Sequence, residues 1–281
     1  MKLIESKAEY LPQEEGLEGI YKQIELCGRT CYKSEDKITE DSAKGFVDRM
    51  IKSTHTAMLE HGTVYLTHPV EYITTHRNNF STRYSKNPYS KITVDDFGTR
   101  YITTNLRVLV ENNWLADLQY LCSPTEFHEK RYTFRFTTDR EVSHQTVRER
   151  VMSFAQESQR FCCYLKEKFG MSVTFIQPAW IKPFDQKEFE EDLKVIEQIY
   201  FKWLNKGYKA EEARYFLING TKTEIIVTGF ASDWRYMMDL RFFEKTGKVS
   251  PNMRDLIHKV QASMQEAGIW DDIMKQPSKF E

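Results

Sequence analysis

Residues 144–161 read HQTVRERVMSFAQESQRF. Three arginines (Arg148, Arg150 and Arg160), two serines (Ser153 and Ser158) and a Gln156-Glu157 pair crowd into this stretch, and no lysine does. A planar guanidinium offers a fork of donors that meets phosphate or carboxylate oxygens two at a time, which the point charge of lysine does not. Serine hydroxyls and free main-chain N–H groups at a helix start complete an anion site. Helical spacing carries Glu141 to Met152 and, further on, roughly Glu157 to Phe169, so that Gln156 to Arg160 falls at a turn or a helix start. Gln145, one turn before Arg148, offers an amide donor and acceptor to a base or a sugar. A solvated helix face with local ion pairs, such as Glu157 with Arg160, accounts for the same residues. Pattern alone leaves both readings open.

Outward from this stretch the elements are mixed. RYTFRFTT (131–138) alternates as a half-buried strand does, and TEIIVT (223–228), TVYLT (63–67) and the segment 172–176 are rich in strand-forming residues. Helical spacing marks Leu17–Leu26, Asp41–Ser53, Asn105–Tyr120, Phe189–Asn205, Ala210–Phe216, Ser232–Phe243 and Pro251–Ala267. The polar stretch after residue 69 is punctuated by Asn87-Pro88, Asp95-Asp96 and Gly98, which predicts a surface excursion over about 69–127, serving as a lid or an oligomer contact. Strands and helices follow no βαβ rhythm, so the expected class is α+β rather than doubly wound.

Composition narrows the function. A chain of 281 residues has room for a substantial core, and a net charge of −1 without a basic stripe argues against a nucleic-acid partner. Five scattered cysteines, a start without an apolar leader and the lack of any long apolar run point to a reducing cytoplasm and no membrane span. Cys27-Gly-Arg-Thr-Cys31 has no second ligand pair at zinc-like spacing, so no metal is expected. No GxGxxG follows a strand, and no Walker loop, GxSxG elbow or HExxH occurs, which argues against a Rossmann domain and leaves room for a flavin held another way. Two more arginines, Arg214 in EEARYFLI and Arg241 in MMDLRFF, sit in apolar sequence, where a guanidinium is paired or ligand-bound because a lone buried charge is costly.

Taken together these blocks resemble the flavin-dependent thymidylate synthases (ThyX). The signature of that family, Arg-His-Arg, two residues, Ser, then Ser-x-Arg, is matched by Arg148-Glu149-Arg150, Ser153 and Ser158-Gln159-Arg160. CGRTCYKSED (27–36), MLEHGTVYLT (58–67), EEARYFLI, KTEIIVT and DWRYMMDLR resemble further blocks, and the spacing of Arg214 and Arg241 resembles that of the family's two substrate arginines. The resemblance implies a single ThyX-like α+β catalytic domain over 1–281, with a mixed antiparallel sheet, flanking helices and active sites shared within a homotetramer. It implies conversion of dUMP to dTMP, with methylenetetrahydrofolate as carbon donor, reduced FAD as hydride source and NADPH reducing the flavin. Carried over by position, it assigns Gln145, Arg148, Gln156, Glu157, Ser158, Gln159, Arg160, Arg214 and Arg241 to dUMP. Arg241 stands against the uracil and favours its N3-deprotonated form, as the catalytic residue. His61, Arg148, Glu149, Arg150, Phe230 and Ser232 are assigned to FAD.

The departures cluster on the flavin side. Glu149 replaces the middle His, and Phe230 and Ser232 stand where Asn and Arg are usual. Ala155-Gln156 replaces Asn-Glu, Ile218 replaces a Pro, and the His of the block beyond Arg241 has no counterpart. Glu149 adds repulsion beside a pyrophosphate unless it turns to Arg148 or Arg150. The alternative is therefore a divergent nucleotide-binding relative with weak flavin binding or another pyrimidine nucleotide as substrate.

Overall fold

The alternation of RYTFRFTT builds the central strand. In the computed structural model, which describes residues 1–68 and 80–280, β6 (Arg131–Asp139) pairs antiparallel with β9 (Lys222–Phe230) from Arg131↔Phe230 to Asp139↔Lys222. β2 (Lys7–Tyr10) flanks β6 and β7 (Ser153–Gln156) flanks β9, both antiparallel, giving the order β2-β6-β9-β7. Because successive side chains point to opposite faces, Phe134, Phe136, Ile225 and Val227 enter one core with Trp234, Met238, Leu256 and Val260. Ile226 and Ala155 face the other side, against Leu11, Cys27 and Cys31. The first face is closed by α8 (Ala231–Arg241) and α9 (Pro251–Glu266), and the second by α1 (Gly16–Tyr32).

A second antiparallel sheet, β3-β5-β4, joins β3 (Thr63–His68), β4 (Lys91–Val94) and β5 (Arg100–Asn105). Val64, Leu66 and Ile102 of this sheet pack with Ile20 and Ile24 of α1, Phe46 and Val47 of α2 (Ser42–Lys52), Tyr84 of α3 (Phe80–Ser85), and Leu106 and Leu109. α1 crosses α2 closely at Gly28, where a Cβ would lie 2.5 Å from the Phe46 ring, so a larger residue there has to displace that ring. A third cluster gathers Tyr164, Val173 and Phe175 against Leu193 and Tyr200 of the long helix α6 (Gln186–Asn205) and Ala213 of α7 (Ala210–Ala213). Beside it β1 (Lys2–Ile4) pairs in parallel with β8 (Thr174–Ile176). No described helix is long and apolar enough to cross a membrane.

The class is α+β, as expected, with antiparallel main sheets. The expected surface excursion at 69–127 is corrected. Residues 69–79 lie outside the described residues, but the segment beyond them includes β4 and β5, and Ile102, Leu106 and Leu109 are buried. Its turn residues serve a hairpin: Gly98 donates to the Asp95 carbonyl and Asp95 to that of Thr99, closing β4 onto β5. The helix expected over Asn105–Tyr120 is shorter. Asn105 caps α4 (Leu106–Glu111) by accepting from Val108 N–H, and Asn113, at φ 59°, ends it before a 3₁₀ segment at Leu115–Tyr120.

The helices expected over 141–152 and 157–169 are also corrected. α5 (Arg140–Thr146), capped by Asp139, stops at Thr146, and β7 comes after a turn. Beyond β7 the chain is irregular, apart from a 3₁₀ turn at Glu167–Phe169, because Glu157, Gln159, Cys162 and Tyr164 are all drawn into the interior. Tertiary burial overrides the helical spacing there.

Candidate functional site

The stretch 147–161 runs along one edge of the main sheet. Ser153 and Ala155 of β7 face inward, and Gln156 leans on α5, donating from Nε2 to Ser143 Oγ at 2.9 Å and to Thr223 Oγ1 at 3.2 Å. The chain then turns: Ser158 N–H donates to the Cys31 carbonyl at 2.9 Å, and the Ser158 carbonyl accepts from Phe161 and Cys162. Arg148 and Arg150 stand exposed in the preceding turn, and neither forms an ion pair among the described residues.

Two groups of charged side chains flank α5. At the first, exposed Arg160 pairs with Glu211 at 2.8 Å, and Arg214 Nε reaches the Glu211 carbonyl at 3.3 Å, so one residue gathers both arginines. Arg214 is exposed, which corrects the expectation of an arginine inside an apolar face; YFLI belongs to a 3₁₀ turn and a loop. Arg140, the first residue of α5, feels the repulsion of Arg214, and its amide donates to the Asn219 carbonyl at 2.9 Å. Glu157 does not pair with Arg160. It is buried and takes Lys222 Nζ at 2.9 Å and the Tyr164 hydroxyl at 3.3 Å. Lys222 also meets Glu224 at 2.6 Å, and Lys33 closes on Glu224 at 2.5 Å. Burial pushes the Glu224 carboxyl up, but the two lysines outweigh it and hold the group at about 2. Gln159 is buried beside Tyr164.

At the second group, Gln145 donates to Ser250 Oγ, the cap of α9, at 3.0 Å and also to Glu141. Glu149 turns to neither Arg148 nor Arg150. Buried in the turn, it accepts from Arg241, at the last position of α8, with Nη2 to Oε1 at 3.4 Å. Burial pushes the Glu149 carboxyl up against the opposing pull of Arg241.

Of the residues assigned to a flavin, His61 and Phe230 are enclosed, whereas Arg148 and Arg150 are exposed. His61 is fully buried, with Nδ1 2.8 Å from Thr228 Oγ1, and burial with the nearby Arg131 charge lowers its imidazole to about 3. Phe230 is buried with the Arg131 guanidinium 5.4 Å from its ring, and Ser232 N–H donates to Glu129 at 3.0 Å. Neither His61 nor Phe230 is exposed at the surface of the chain. A cavity of about 740 Å³ lies instead between α1, α2 and the turn before β3. Phe46, Met50 and Met58 form an apolar floor, and Arg29, His55, Arg107 and Lys168 stand among its walls. Cys31 lines it and holds Ser158 through its carbonyl, so the cavity adjoins the turn that carries Arg160. The apolar floor fits a planar ring, while Arg29 is paired with Glu25 and Arg107 with Glu60 and Glu111. Arg140, Lys222 and this cavity escape the sequence reading. They are assembled by packing between distant segments and have no local signature.

The structure thus defines an α+β protein whose sheet edge carries an arginine-rich turn beside a cavity of about 740 Å³. Residues 112–267, more than half of the chain, match the model of the family described as thymidylate synthase complementing protein, and the chain belongs to that family. The flavin-dependent thymidylate synthase of Pyrococcus furiosus is 34% identical over 119 residues, which is 40% of this chain and 48% of that one. That of Geobacter sulfurreducens is 32% identical over 108 residues, 38% of this chain and 45% of that one. The chain spans about half the length of these curated relatives. Among solved structures, a UMP/dUMP methylase, PolB from Streptomyces cacaoi, bound with 5-Br dUMP, aligns with a TM-score of 0.45 and 13% identity over 98% of this chain and 96% of that one.

Proposed function

We propose that this protein is a flavin-dependent thymidylate synthase, a methyltransferase converting dUMP to dTMP with methylenetetrahydrofolate as carbon donor and NADPH as reductant. The observation that carries this reading is the gathering of Arg160 and Arg214 on Glu211, at a turn whose Ser158 is tied to the wall of the 740 Å³ cavity. Guanidinium forks and a serine hydroxyl take the nucleotide phosphate, with Arg140 adding charge. Glu211 is displaced toward solvent as the phosphate replaces it. Gln145, Arg148 and Arg241 take the base and sugar. A bound flavin supplies the hydride, and the cavity residues Phe46, Met50, Met58 and His55 hold its ring, with Arg148 and Arg150 toward its phosphates. The family resemblance supports a homotetramer in which each site is completed by a neighbouring subunit. Each chain acts as one catalytic domain, and the enzyme works in the cytoplasm.

The enclosure of His61 and Phe230 favours one second reading, a nucleotide-binding relative with weak flavin affinity or a different pyrimidine nucleotide. Purified protein supplied with FAD, NADPH, methylenetetrahydrofolate and dUMP separates the two: dTMP forms under the first reading, and dUMP binds without product under the second.

A further inference from the structure

We propose that a second cavity, between the end of β2, the start of α1, β3 and the start of β6, is a binding site for a small organic carboxylate. It shares no lining residue with the 740 Å³ cavity. Its volume is about 260 Å³, and Tyr10, Tyr65, Lys130, Arg131 and Tyr132 form the more buried part of its wall. Arg131 is only 9% exposed and makes no ion pair among the described residues. Its Nη1 donates to the Glu60 carbonyl and to Thr63 Oγ1, its Nη2 donates to Ser153 Oγ, and its Nε has no partner among the described residues. These acceptors are neutral oxygens, so the charge is left uncompensated where burial already weighs against it. Its field reaches the cavity, where it acts on the Tyr65 phenol. Lys130 adds an ammonium with no hydrogen bond or ion pair among the described residues.

Two phenols supply directional contacts. The Tyr65 hydroxyl accepts from Arg131 N–H at 3.2 Å and keeps its own proton to donate, and the Tyr10 hydroxyl has no partner among the described residues. Burial pushes the Tyr10 phenol up and the Tyr65 phenol to about 12, so both stay protonated donors at neutral pH. The carboxylates close by are engaged. Asp272 accepts from Tyr132 and pairs with Lys275 at 2.5 Å, while at the exposed mouth Glu14 pairs with Lys22 at 3.0 Å and Glu15 accepts from Ser123. Two hydroxyl donors and one ammonium match the two oxygens and single charge of a carboxylate. A phosphate dianion brings a second charge with no free cationic donor to meet it. Tyr10 and Tyr132, with ring centroids 6.2 Å apart, join Ile20, Leu121 and Ile269 in offering apolar surface to the body of the ligand. The volume lies below the ~300 Å³ at which drug-sized pockets begin, which suits a small molecule.

The test uses full-length protein, with benzoate and inorganic phosphate as probes. Titration calorimetry is expected to show saturable binding of benzoate to the wild-type protein, and weaker binding of phosphate. Tyr10→Phe removes one hydroxyl and Lys130→Met removes the ammonium. Each is expected to weaken benzoate binding at least about tenfold, the worth of a hydrogen bond to a charged group. Crystals of the wild-type protein soaked in 4-bromobenzoate are expected to place the bromine, located by its anomalous scattering, inside the cavity, and this holds the inference to account even if a variant does not fold. No saturable benzoate binding, an affinity unmoved in both variants, or a bromine found elsewhere overturns the inference. Phosphate bound as tightly as benzoate overturns the assignment to a carboxylate. None of these outcomes bears on dUMP or flavin, so the proposed function stands or falls separately.

Discussion

Glu149 and Arg241 are 92 positions apart in the chain and meet across the start of the candidate site. That contact decides what an alanine at 241 does. Arg241→Ala removes the group placed against the base, and turnover is expected to fall at least ~100-fold, as when a fixed donor is deleted from an active site. It also strands a buried carboxylate, which costs about 1–3 kcal/mol and pushes the Glu149 pKa further up. A thermal melt beside a steady-state assay checks both: the variant stays folded with a lower Tm and little activity. Undiminished activity would remove Arg241 from the chemistry. The arginines themselves are legible in sequence, because residue type and local spacing suggest an anion site. Their partners are not. Glu157 reads as a local partner of Arg160 and is instead taken by Lys222, a contact made only when β9 lies beside β7.

At the scale of elements, the alternation of β6 and the strand-forming residues of β9 make both readable, since the sheet buries side chains on each of its faces. The stretch 157–169 misleads because helical spacing is a local preference, while burial of Tyr164 and Cys162 is a tertiary one. β9 also carries Glu224, held at about 2 by Lys222 and Lys33. A carboxyl with a pKa depressed below its ordinary 4.5 in the folded state stabilises the protein above the unfolded value and loses that stabilisation as pH falls through the folded one. The window is therefore pH 4.5 down to about 2, and the amount at stake is about 3 kcal/mol. Glu224→Gln is expected to lower stability near neutral pH and to flatten its fall across that window. Melting curves for both proteins from pH 5 to pH 2.5 check it, and parallel curves would show that the Lys33–Glu224–Lys222 network contributes no linkage.

For the whole molecule, the proposed sharing of each site between chains makes a prediction about assembly. Arg160→Ala and Arg241→Ala are each expected to be inactive alone. Co-refolded in equal amounts, they are expected to regain activity toward about a quarter of the wild-type level, because sites built from two chains then include some with both arginines intact. Failure to regain any would place both groups in one subunit's site. A site shared between chains would have no signature in sequence, because it is set by packing between distant segments. The most direct test of the proposed activity is product formation by the purified protein, given dUMP, methylenetetrahydrofolate, FAD and NADPH and followed by mass spectrometry of the nucleotide. The expected result is conversion of dUMP to dTMP that ceases when any one of the four is withheld. Unchanged dUMP in a sample that demonstrably binds both dUMP and flavin would contradict it.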